Sequence, residues 1–283
     1  MKRKLALVLS MVVMGAALFT GCGSKSVGAD GKTANEKAEG ETFKVGLECG
    51  YAPFNWTQSD ASNGAVPIEG SSEYAGGYDV QIAKKIADGL GKELVIVKTE
   101  WDGLVPALVS GKIDAIIAGM SPTEERKETI DFSDNYYKSD LVMVVKKGGA
   151  YEKATKLDDF SGAKITAQLN TFHYNVIDQI DGVVKETAMD NFPAMRVALE
   201  SGVIDGYVSE RPEGVSATSA NPNFAMVEFE EGFQTDDSDT AIAVGLQKGS
   251  ELTSKINEIL KGISEEDRTT LMDSAIKQQP AAN

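Results

Sequence analysis

Thirteen residues recur along this chain. Ala107 to Gly119 (ALVSGKIDAIIAG) aligns with Ala198 to Glu210 (ALESGVIDGYVSE), and six of the thirteen positions are identical. Each copy reads as a helix end, a Ser-Gly turn that supplies a left-handed cap, and a short buried strand. Self-similarity of this kind restricts the fold to two units built alike. What precedes each copy corresponds in kind. In the first half the pattern predicts a strand over 44–47, a helix over 79–90, a strand over 93–98 and a helix over 102–110. In the second half it predicts a strand over 164–167, a helix over 171–180, a strand over 183–187 and a helix over 191–201. Val80, Ala83, Ile86, Ala87 and Leu90 make one apolar stripe along the helix from Asp79. Strands alternating with helices imply an α/β fold, each sheet mostly parallel and flanked by helices. At 283 residues the chain has room for two such cores, and the Gly-rich stretch Lys146-Lys147-Gly148-Gly149 follows the first. Tail helices over 252–263 and 265–276 have no strand unit of their own and are expected to pack back on a lobe. Parallel sheets bind ligands beyond the carboxyl ends of their strands, so two facing lobes predict a cleft.

The amino terminus reads as a targeting segment. Lys2, Arg3 and Lys4 precede an apolar run from Leu5 to Phe19 and then Thr20-Gly21-Cys22. Fifteen residues are too few to span a bilayer and suit a signal-peptide core. The segment from Leu18 to Gly23 resembles a bacterial lipobox, in which cleavage before Cys22 leaves that cysteine to carry lipid. It departs from the usual pattern at Phe19, where leucine is common. The expected division is a leader over 1–21, then the lipidated Cys22 and a Gly/Ser/Ala/Lys/Glu-rich tether through residue 42. Cys49 is then the single remaining cysteine, excluding a disulfide within the mature chain, and reads as a packed residue rather than a nucleophile. Net charge is −15, and loss of the leader's three cations makes it more negative still. So acidic a body repels phosphate backbones, which excludes nucleic acid as a partner.

Several residues beyond the predicted strands bear chemistry. Gly119-Met120-Ser121-Pro122-Thr123-Glu124-Glu125-Arg126 reads as a helix start, where backbone N–H groups and the positive end of the helix favour an anion. Arg126 can pair with a carboxylate in bidentate fashion. It can equally bridge Glu124 or Glu125 on the surface, and spacing leaves both open. In the second half Gln168-Leu169-Asn170-Thr171 stands in the corresponding place, so Thr171 can serve the same anion or merely cap its own helix. Glu210 ends the second copy and offers a carboxylate at the cleft edge, or a solvated strand end. An anion site opposed by a carboxylate suits a zwitterion. His173 is the only histidine; alone it builds neither a metal site nor a triad, and it reads as a solvated helix residue. The Ser/Asn/Gly-rich insertion 57–76 receives no function.

Those motifs carry a resemblance. Tyr51-Ala52-Pro53-Phe54, Gly77-Tyr78-Asp79-Val80, Trp101 to Leu108, Ser110 to Asp114, Ser121 to Arg126 and Asp131-Phe132-Ser133-Asp134 occur in order. From Phe43 onward the chain resembles the polar amino-acid binding proteins of ABC importers, the group of the histidine- and glutamine-binding proteins. The second half matches more loosely. The resemblance implies a two-lobed periplasmic-binding-protein-like fold of type II, with lobe 1 over 43–139, lobe 2 over 140–232 and a return to lobe 1 over 233–283. Crossover strands are expected near 140–144 and 228–234. It further implies that Arg126, Ser121 and Thr171 hold an α-carboxylate, and that Gly119 and Glu210 hold the ammonium. Tyr51, Trp101 and Phe172 would lie against the ligand side chain. Glu48 matches an acidic position that meets cationic side chains in some relatives, which favours arginine or lysine, while Tyr51 and Trp101 would also suit a neutral or aromatic side chain. Glu210 departs from the more usual aspartate by one methylene. The implied protein is a lipid-anchored monomer on the outer face of a bacterial membrane. It would deliver an amino acid to a permease and ATPase, with no cofactor, metal or catalytic residue.

Two rivals stay in view. Cyclohexadienyl dehydratases resemble this family, and in such an enzyme Glu210 would act as general acid; consumption of prephenate or arogenate distinguishes it. A sensor domain would need a spanning partner chain.

Overall fold

The structure is a computed structural model, and it describes residues 41–280. The leader, Cys22 and the tether to residue 40 lie outside the described residues. In chain order the first sheet opens with β1 (Thr42–Leu47). A small excursion follows, with β2 (Gly50–Tyr51), β3 (Asn55–Gln58), β4 (Val66–Pro67) and β5 (Tyr74–Gly76). Next come α1 (Tyr78–Leu90), β6 (Glu93–Lys98), α2 (Leu104–Val109), β7 (Ala115–Ile116), α3 (Glu124–Thr129) and β8 (Asp131–Lys138). The second sheet is formed by β9 (Leu141–Lys146), β10 (Lys164–Thr166), β11 (Val184–Lys185), β12 (Gly206–Glu210) and β13 (Phe224–Val227). Its helices are α4 (Phe172–Val176), α5 (Phe192–Ser201) and α6 (Arg211–Ala220). The chain ends with β14 (Ala241–Leu246), α7 (Leu252–Lys261) and α8 (Glu265–Gln278).

The two sheets share one plan. Strand order is β6-β1-β7-β14-β8 in the first and β11-β10-β12-β9-β13 in the second. In each, three strands pair in parallel and the two remaining pairings are antiparallel. The recurrent thirteen residues produce this likeness through two devices. Gly111 and Gly202 take φ of 75° and 78° after α2 and α5, a left-handed region that glycine enters without a Cβ clash. The following aspartates brace the first strand of each unit. Lys44 N–H donates to Asp114 Oδ2 at 2.8 Å, and Lys164 N–H donates to Asp205 Oδ2 at 2.9 Å. Each aspartate's own N–H returns a bond to the carbonyl of that same lysine. Ile113 and Ile204, one residue earlier, are buried in both copies.

Local chemistry fixes the other boundaries. α1 buries Val80, Ile82, Ala83, Ile86 and Ala87 on its core side and ends at the left-handed Gly91. Thr123 caps α3 by accepting from Arg126 N–H, and Asn191 caps α5 by accepting from Ala194 N–H. The larger core continues from one lobe into the other where the Tyr51 ring stacks on Phe192, centroids 4.4 Å apart. Three expectations need correction. The short buried strand expected at the end of the first copy of the repeat is regular only at Ala115–Ile116. The helix expected over 171–180 gives way to a 3₁₀ turn at Ile177–Gln179. The expected crossover strand near 228–234 is irregular, with a single bridge from Glu231 to Lys156, although the chain does return to the first sheet there. The 57–76 insertion also gains a role. Glu69 N–H donates to Ile96 O at 2.8 Å, so the excursion covers the outer edge of β6, which would otherwise expose unpaired backbone groups.

Candidate functional site

Segments that follow β1, β6, β7 and β10 line one cavity between the sheets. Tyr51, Trp101, Gly119, Ser121 and Arg126 come from one lobe, and Gln168, Thr171, Phe172 and His173 from the other. Seven of the nine expected ligand contacts are therefore brought together. The remaining two, Glu48 and Glu210, stand behind other side chains. Glu210 Oε2 accepts from Tyr51 Oη–H at 2.9 Å, and its Oε1 lies 3.6 Å from His173 Nε2. Glu48 accepts from Gln168 Nε2–H at 3.2 and 3.4 Å.

Gly119 shows why this loop has its sequence. Its φ is +63°, and a Cβ there would lie 2.6 Å from the Tyr51 ring. A buried chain of bonds holds it. Gly119 N–H donates to Tyr136 Oη, Tyr136 Oη–H donates to Asp79 Oδ1 at 2.8 Å, and Asn55 Nδ2–H donates to Asp79 Oδ2 at 2.9 Å. Burial pushes the Asp79 carboxyl up to about 7, against the lowering effect of the Asn55 and Tyr136 bonds.

Arg126 donates from Nη1 to Ser121 O and from Nη2 to Asn170 O, both at 3.0 Å, and its guanidinium lies 5.1 Å from the centroid of the Trp101 ring. Among the described residues Arg126 forms no ion pair with Glu124, which pairs with Lys127, or with Glu125, whose charge nonetheless supports it. Removal from water lowers the guanidinium to about 10, against the raising effect of the Glu125 and Asp239 charges. The Ser121 and Thr171 hydroxyls donate to the carbonyls of Asp239 and Gln168, each at 2.7 Å. As they stand, those two side chains turn lone pairs, not hydrogens, toward other partners.

Glu210 is 1% exposed and His173 6% exposed, so the reading of His173 as a solvated helix residue is overturned. The first turn of α4 aims the ring inward against Phe172 and Glu210. Both His173 ring nitrogens and Glu210 Oε1 are buried without a hydrogen-bond partner among the described residues. Each such unmade bond costs about 1–3 kcal/mol, and His173 Nε2 and Glu210 Oε1 face each other just beyond hydrogen-bond reach. Sequence reasoning missed His173 and Gln168 alike. The only available signal was their position in the strand-to-helix turn beside Thr171. Cys49 is buried, and burial pushes its thiol up to about 12, consistent with packing rather than reactivity. Among the described residues no cluster of His, Cys, Asp and Glu could hold a metal.

The profile of the bacterial extracellular solute-binding proteins, family 3, matches residues 43–274. This chain belongs to that family. It is a solute-binding protein rather than an enzyme, in a family of extracellular proteins. A family 3 relative from Campylobacter jejuni, a probable histidine-binding protein, is 32% identical over 88% of this chain and 89% of its own. The L-cystine-binding protein TcyJ of Escherichia coli is 30% identical over 90% and 86%. Among solved structures, a Streptococcus pneumoniae amino-acid ABC transporter binding protein bound to L-arginine superposes on this family 3 chain with a TM-score of 0.71. It is 25% identical, covering 84% of this chain and 95% of its own. An ancestral arginine-binding protein bound to glutamine gives 0.69 at 32% identity, covering 83% and 98%.

Proposed function

We propose that this family 3 binding protein captures one L-α-amino acid between its lobes and delivers it to the permease and ATPase of an ABC importer. One observation carries the reading: Arg126, a cation with no ion pair among the described residues, lines the cavity from one lobe, and Glu210, a buried carboxylate with an unpartnered oxygen, stands behind Tyr51 and His173 on the side of the other. A zwitterion satisfies both at once. In this reading Arg126 takes the α-carboxylate, aided by the backbone of Ser121 and Thr171, and Glu210 with the Gly119 carbonyl takes the ammonium. The relatives named for histidine, cystine and arginine support the class. Binding calorimetry with the free amino acid, its methyl ester and its N-acetyl derivative tests it. Each derivative removes one charge of the zwitterion and is expected to bind at least about tenfold more weakly, about 1.4 kcal/mol. Equal affinity for all three would overturn the reading.

The expected cationic side chain rests on Glu48, which meets the cavity only through Gln168. We also propose that Cys22 carries the lipid that anchors the protein to the outer face of the membrane. Support comes from the short apolar leader and Gly21-Cys22. Palmitate labelling should disappear in Cys22→Ser; retained labelling would exclude the anchor.

A further inference from the structure

Away from the cavity, a further pair of residues joins the lobes. α8 belongs to the first lobe, where it packs on α1 and buries Met272 and Ala275. Pro280 follows its end, and a residue before proline is pushed out of helical backbone. Gln279 accordingly takes φ −57° and ψ 146°. Its amide meets Ser216 on α6 of the second lobe. Nε2 donates to Ser216 O at 3.1 Å, and Ser216 Oγ–H donates to Oε1. A carbonyl can only accept, so this pairing fixes the amide's orientation and engages both of its ends. Ser216 is fully buried and Gln279 half-buried.

The helix that Gln279 grips is coupled to the site. α6 has Glu210 as its N-cap, and Ser216 follows about 9 Å along the axis. Between them stands the buried Glu213. Its Oε1 accepts from Arg196 Nε and Nη2 at 3.0 and 2.7 Å and from Tyr207 Oη–H at 3.1 Å. Its Oε2 accepts from Ser209 Oγ–H at 2.6 Å. A buried charge so fully paired is rigid, so Ser216 and Glu210 move as one body with their lobe. The start of α6 is tied to both lobe connections, by Arg211 N–H to Asp140 O and by an ion pair of Arg211 with Glu228. Rotation of the lobes about those connections displaces Ser216 from Gln279, and a hydrogen bond stretched beyond about 3.5 Å is lost.

We propose that Gln279 is a positioning residue for ligand retention: through Ser216 and α6 it holds Glu210 in place behind the cavity wall while the lobes are together, and lets go when they part. Gln279 itself does not line the cavity. The proposal rests on the amino-acid reading above and adds a kinetic signature to it. A clasp that forms only once the lobes have met leaves association untouched and slows release.

The test is stopped-flow fluorescence on the full chain, with L-arginine, L-histidine, L-glutamine and L-cystine as probes. Gln279→Ala removes the amide, and Gln279→Met keeps its length without the polar ends. Both should release the tightest-bound probe about three- to tenfold faster than wild type, with association within about twofold. The melting temperature of the ligand-free protein should not change. Lys277→Ala, exposed near the end of the same helix, should behave as wild type. Unchanged release in both Gln279 variants overturns the proposal. Lower ligand-free stability with unchanged release makes Gln279 merely structural and overturns it equally. If wild type binds none of the four probes, it is the amino-acid reading that falls, and the clasp has nothing to retain.

Discussion

Gln168 and Glu48 sit on different lobes, so their bond exists only while the lobes are together. That gives Glu48 a measurable signature. Burial raises its carboxyl to about 7, from an ordinary value of 4.5, although the Gln168 bond works in the opposite direction and Glu100 and Asp79 add to the rise. When the lobes part, water replaces Gln168 and the ordinary value returns. A carboxyl with the higher pKa in the closed form takes up a proton on closing at pH values between the two. Closure is therefore helped as the pH falls below about 7, and that help is gone as the pH rises through it. Calorimetry near pH 6 in buffers of different ionisation heat should register close to one proton taken up per neutral amino acid bound. In Glu48→Gln the uptake should vanish. Asp79 is raised to a similar value but keeps its hydrogen-bond partners within one lobe, with only the repulsion of Glu210 coming from the other, so it should contribute less.

At the scale of elements, the recurrent Asp114 and Asp205 make matching bonds to Lys44 of β1 and Lys164 of β10. Replacing either with alanine should destabilise the protein by roughly 1–2 kcal/mol in urea unfolding. Similar losses at both would show that the repeat performs one structural task twice; loss at only one would refute that. This repeat is also why the fold was legible. The Ser-Gly caps, the strand over 93–98 and the helices from Tyr78 and Phe192 follow from period and turn chemistry alone. The 57–76 segment was opaque because its strands run two to four residues and are held by the edge of β6, a partner beyond any local window. At the site, Arg126, Gly119 and Tyr51 could be read because a motif surrounds them. Gln168 and His173 could not, since what draws them into the cluster is Glu48 and Glu210, far away in sequence and close in space.

Across the whole molecule, the cavity is closed over by four side-chain hydrogen bonds between the lobes, beside the stacked Tyr51 and Phe192 rings: Tyr51 to Glu210, Gln168 to Glu48, Asn170 to Asp102, and Arg126 to the carbonyl of Asn170. At about 0.5–1.5 kcal/mol each, they form a small sum beside the about 8 kcal/mol of a micromolar ligand, so binding can decide the balance between open and closed. Small-angle scattering should record a more compact particle at saturating ligand than without it, and an unchanged profile would argue against a moving cleft. The strand order has a consequence of another kind. β8 pairs only with β14, and the entire second sheet is encoded between them. A ribosome emits about 5–20 residues each second, so β8 waits on the order of ten seconds for the strand that completes it. Neither the ribosome nor a translocation pore can meet a finished first lobe during that wait. The delay keeps the chain threadable until nearly all of it has been delivered, and leaves a prematurely terminated product with an open seam that invites a neighbouring chain.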